Sequence, residues 1–100
     1  MTPPLRQWLA EQGSVVSYAE VMRALDIPHM NILTQALELL MQEDAIAGRP
    51  LLAARVVSRS HPLPNRGFFD LARALGYVVG EEAAFHAAQL AALGKPVAKP

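Results

Sequence analysis

The sequence predicts a mainly α-helical single domain with a small β wing. Amphipathic periodicity recurs along the chain, a sharp proline break separates its second and third helical stretches, and one short stretch alternates as a strand does. Its 100 residues suffice for one core and not for two. Apolar residues make up 52% and charged residues 18%, the balance of a globular chain rather than a disordered one.

The first helix is announced by "TPPL", where Thr2 can cap and Pro3 can occupy the first turn at no hydrogen-bond cost. Leu5, Trp8 and Leu9 then form one apolar face, and Gly13 ends the element. The second helix starts with a capping box in which Ser17 and Glu20 exchange hydrogen bonds, and it buries Tyr18, Val21, Met22 and Leu25. Pro28 disfavours helical geometry at Ile27, so the chain turns sharply before a third helix, "PHMNILTQALELLMQED". Asp44 to Pro50 reads as its exit loop, with Gly48 and Pro50 as breakers.

"LLAARVVS" alternates in the manner of a strand, and "RSHPLPN" follows as an extended loop. "GFFDLARAL" returns to helix with Phe68, Leu71, Ala72 and Leu75 inward. "EEAAFHAAQLAAL" is a final alanine-rich helix whose glutamates favour its positive end. Three helices with a sharp turn between the second and third, then a strand and a basic loop, describe a winged helix-turn-helix-like domain over 1–94 with extra C-terminal helices. Residues 95–100 are expected to be a polar, frayed tail.

The formal charge is zero, but it is segregated. Residues 1–44 hold two arginines against six acids, a net of −4, whereas 45–69 hold Arg49, Arg55, Arg59 and Arg66 with no acid, a net of +4. Cysteine is absent, which excludes disulfides, thiolate metal sites and thiol catalysis. There is no signal-peptide pattern and no membrane-length apolar run, so a cytoplasmic protein without membrane contact is the expectation.

Several short motifs sit in a suggestive order. Ser17-Tyr18 opens a helix, Pro28 precedes the next one, and "LAARVVSRSHPLPNRGF" follows it. In this the segment from Ser17 to Phe69 resembles the DNA-binding half of alkylguanine-DNA alkyltransferases and alkyltransferase-like proteins. That family carries a Pro-Cys-His-Arg-Val-Val run, then a loop, a glycine and an aromatic. Arg55, Val56 and Val57 match the run, and Gly67 and Phe68 match loosely beyond it. The acceptor cysteine falls at Ala53, the histidine that activates it at Ala54, and the arginine that enters the duplex near Ile32. The resemblance therefore implies the fold, DNA contact as a weaker inheritance, and Tyr18 as a phosphate neighbour; alkyl transfer is excluded for want of a thiolate.

The candidate interface is accordingly a wing whose Arg55, Arg59 and Arg66 meet phosphates through permanently charged, bidentate forks. His29, Asn31 and Gln35 would supply polar contacts from the third helix, although Glu38 and Glu43 would face a polyanion there. The competing reading has these arginines paired with Glu38, Glu43 or Asp44, and Tyr18 as a core ring with its hydroxyl at the surface. No catalytic residue is expected: His61 with Ser58, Ser60 and Asp70 has the residue types of a hydrolase but no orienting spacing. His29, His61 and His86 stand alone, so no metal or other cofactor is expected, nor a small-molecule substrate. The partners expected are DNA, held non-specifically through phosphates, and a second copy of the chain packed through the last helix or Trp8. The alternative function is a protein-interaction or homodimerisation module that does not bind DNA.

Overall fold

The computed structural model describes the backbone of residues 2–94 and the side chains of 5–94. The expected Thr2 cap and the polar tail 95–100 lie outside the described residues.

The order of elements is α1 (Thr2–Ala10), β1 (Val16–Ser17), α2 (Tyr18–Ala24), α3 (Met30–Ala47), a 3₁₀ helix (Leu52–Arg55), β2 (Val56–Val57), α4 (Arg66–Ala74) and α5 (Glu82–Leu93). α3 is the hub. Its Leu33, Leu37, Leu40 and Met41 are buried against Leu5 and Leu9 of α1, Val21 of α2 and Phe68, Phe69 and Ala72 of α4. None of its described neighbours could bury that stripe alone. No described helix is long and apolar enough to cross a membrane.

Local chemistry explains the helix ends. At α2, Glu20 N–H donates to Ser17 Oγ at 3.0 Å and Ser17 N–H donates to Glu20 Oε1 at 2.7 Å, the reciprocal box that the sequence predicts. After α2 the chain reverses through Asp26 at φ 57°, one of the few residue types that tolerates the left-handed region. α3 runs on through Ala47, past its expected end near Asp44, and stops at Gly48 with φ 73°. The residues read as an exit loop, Asp44-Ala45-Ile46-Ala47, are helical because Asp44 turns inward and finds partners there.

The strand expected across "LLAARVVS" is the main correction. Leu52–Arg55 is a 3₁₀ helix, and only Val56 and Val57 are extended. Alternation requires one wet face, but Leu51 through Val57 are all buried, so the period carried no information here. The sheet is a parallel pair, Val16 opposite Val56 and Ser17 opposite Val57. A parallel pair needs a long crossover, and α2 and α3 supply it. β1 leaves no mark in the sequence, since two residues carry no period.

Candidate nucleic-acid interface

Pairing of β1 with β2 brings Ser17 alongside Val57, which sets the basic loop against the start of α2. The loop closes on itself: Ser58 N–H donates to Leu63 O at 2.9 Å, and Leu63 N–H to His61 O at 2.7 Å. At its far end Asn65 N–H donates to the Tyr18 hydroxyl at 2.8 Å. Both ends of the loop are thus pinned to one dipeptide, Ser17-Tyr18. Burial raises the Tyr18 phenol above its ordinary pKa against the opposing effect of the Asn65 hydrogen bond, so it stays neutral and can accept that bond.

Arg59 and Arg66 are exposed and form no ion pair among the described residues. The acids proposed to neutralise them are engaged elsewhere or remain apart. Arg6 reaches Glu43 and Asp44, each at 2.9 Å, and Arg49 reaches Asp44 at 3.0 Å. Arg73 takes Asp70 and Glu82. Arg23, assigned by the charge tally to the acidic half, is likewise exposed and unpaired among the described residues. It lines an open groove of about 310 Å³ together with Ser17, Glu20, Ser58 and Arg59. A charge tally along the chain hides Arg23, because Glu20 beside it caps α2 instead of pairing with the guanidinium.

Arg55 does not belong to this surface. It is 5% exposed, and its guanidinium donates to Leu9 O at 2.8 Å, Ala10 O at 3.3 Å and Gly94 O at 2.9 Å. Those oxygens close α1 and α5, so the cation sits at the negative ends of two helices. Burial lowers its pKa from the ordinary value. The expectation of a phosphate contact from Arg55 is therefore overturned: its guanidinium is turned inward onto three backbone carbonyls, and the residue is buried.

Ala53 lies in a narrow space with Tyr18, Thr34, Glu38, Asn65 and Phe68. That space measures about 60 Å³, room for roughly two waters at ~30 Å³ each and far below the ~300 Å³ of a small-molecule site. Ala54 is buried, and its carbonyl accepts Nε2–H of the buried His86 at 2.7 Å.

On α3, His29 is the N-cap without a side-chain cap bond, and Asn31 is exposed two residues on, in the first turn. Thr34 and Glu38 face the Tyr18 cleft. Gln35 is exposed farther round the helix, among apolar residues. His61 is exposed at the loop tip. Comparison with protein-family models, with curated proteins and with solved structures finds no match to this chain.

Proposed function

We propose that this chain is a non-catalytic, winged helix-turn-helix-like module that binds a nucleic-acid backbone through the loop between β2 and α4. One observation carries the reading: three exposed arginines, Arg23, Arg59 and Arg66, are left without carboxylate partners while the other described arginines are consumed internally. A globally neutral protein can hold a polyanion only where charge is concentrated; Arg23 and Arg59 line one groove whose acid, Glu20, is spent on the α2 cap, and Arg66 opens α4 at the far end of the same loop. The hydroxyls of Ser17 and Ser58 border the same groove and suit phosphate oxygens. His29 and Asn31 lie at the positive end of α3 and extend the same role; the outer face of α3, with Gln35, is not needed for it.

Three phosphate contacts imply modest affinity with a log–log salt slope of about −2.7, a loss of roughly 40-fold between about 50 and 200 mM salt on a duplex. Fluorescence anisotropy with a generic duplex measures this directly. An Arg23→Ala, Arg59→Ala, Arg66→Ala triple variant should lose the binding and the slope together. Absence of binding by the native chain at the lower salt, or superimposable curves for the two proteins, rejects the reading. The second reading, a protein-interaction module, is favoured by the apolar outer face of α3.

A further inference from the structure

α3 is amphipathic twice over. Its inner face fills the core, and its outer face carries Ile32, Leu39 and Ile46, which are 45%, 49% and 88% exposed. At 3.6 residues per turn, seven-residue spacing brings side chains back to nearly the same azimuth, so the three form one slightly slanted stripe. Gln35 and Gln42 fall between them and are exposed. The stripe holds no charge. Glu43, at its edge, is tied back to Arg6, and Glu38 is turned toward the Tyr18 cleft.

Order along the stripe is the informative feature. Ile32 and Ile46 stand seven residues either side of Leu39, so the apolar positions superimpose on their own reverse, while Gln35 and Gln42, four before and three after it, do so to within one residue. An interface with a two-fold axis uses the same patch on both subunits, so the patch must complement its own reverse. We infer that the outer face of α3 is a homodimer seam, in which two α3 helices pack antiparallel about a two-fold axis through Leu39. Leu39 then meets its counterpart, Ile32 of each copy meets Ile46 of the other, and the glutamine amides exchange hydrogen bonds beside the central pair.

Electrostatics favours a second copy over a polyanion or a charged partner. The apolar positions carry no charge, each Glu43 is paired with Arg6 of its own copy and stands about 12 Å along the pair from its counterpart, and antiparallel helices set each positive end beside a negative one. Seven-residue spacing matches shallow, coiled-coil-like crossing with axes about 8–10 Å apart. A single helix face of this size falls in the weak class, below ~1,200 Å² in total, so monomer and dimer exchange with concentration. This surface differs from the last helix and from Trp8, and it leaves Arg23, Arg59 and Arg66 uncovered. The dimer and the phosphate reading can therefore fail separately.

The chain lacks cysteine, which makes disulfide trapping clean. A disulfide requires Cα atoms within about 7 Å. In the proposed dimer Leu39→Cys meets that condition across the axis. Two copies of residue 32 stand 14 residues apart along the pair, about 21 Å. Sedimentation velocity of the native chain should show mass rising toward the dimer with concentration, and Leu39→Glu should remain monomeric with unchanged circular dichroism. Mild oxidation should link Leu39→Cys to itself. Ile32→Cys alone should not link, but mixed with Ile46→Cys it should. A native chain that stays monomeric at every concentration overturns the inference. So does a dimer that survives Leu39→Glu, or self-linkage of Ile32→Cys matching that of Leu39→Cys.

Discussion

Arg55 holds the carbonyl ends of α1 and α5 together, and no carboxylate among the described residues pairs with it. Two helix termini substitute for a counter-ion, a role only a forked, permanently charged donor can fill. Arg55→Ala should lower stability by about 2–3 kcal/mol in urea unfolding, because hydrogen bonds to a charged group are lost and buried carbonyls are orphaned. The nucleic-acid affinity of the folded fraction should not change, the opposite of what Arg59→Ala and Arg66→Ala do. Tyr18 makes a pH-dependent contribution of definite sign. Burial first, with the Asn65 bond opposing, raises its folded pKa above the ordinary 10.0. Its stabilisation is thus complete below that ordinary value and disappears as pH rises through the raised one. Urea midpoints followed into the alkaline range should fall more steeply for the native chain than for Tyr18→Phe.

Among elements, the second and third helices show how far local chemistry reaches. Capping at Ser17 and Glu20 was legible because the residues that bond are three apart. The break before α3 was legible because Pro28 restricts its predecessor. The left-handed residue between them, Asp26, was not singled out. Asp26→Gly relieves a left-handed cost of ~1–2 kcal/mol against a glycine entropy cost of ~0.5–1 kcal/mol, so a net gain of a few tenths to about 1 kcal/mol is expected in thermal unfolding. The strand expected across "LLAARVVS" fails for the converse reason. Leu51 to Val57 is enclosed on every side, so its apolar pattern reflects burial and not a strand period.

For the molecule as a whole, Asp44 is the joint. It is fully buried, receives Arg6 and Arg49 on Oδ1, and accepts Leu52 N–H on Oδ2 at 3.1 Å. One carboxylate therefore links α1, α3, the turn after α3 and the 3₁₀ helix. Asp44→Ala should cost about 2–3 kcal/mol, less than the ~3–5 kcal/mol of a fully buried broken pair, because Arg49 is half exposed and water can take up its charge. Asp44→Asn should cost less than Asp44→Ala, since its amide oxygen can still accept Leu52 N–H. Chemical denaturation of the two variants compares them.

The helical plan, the capping of α2, the turn before α3 and the placement of the basic loop follow from residues close together in the sequence. Periodicity, capping and proline geometry act over four residues or fewer. Which arginines reach solvent, which acids are already spoken for, and that α3 carries a second apolar face depend on contacts between residues tens of positions apart. Leu9 and Arg55, or Arg6 and Asp44, meet only once the core has formed. A charge tally along the chain cannot anticipate such pairs, because ion pairing is decided by distance in space. That is why Arg55 left the candidate surface and Arg23 joined it.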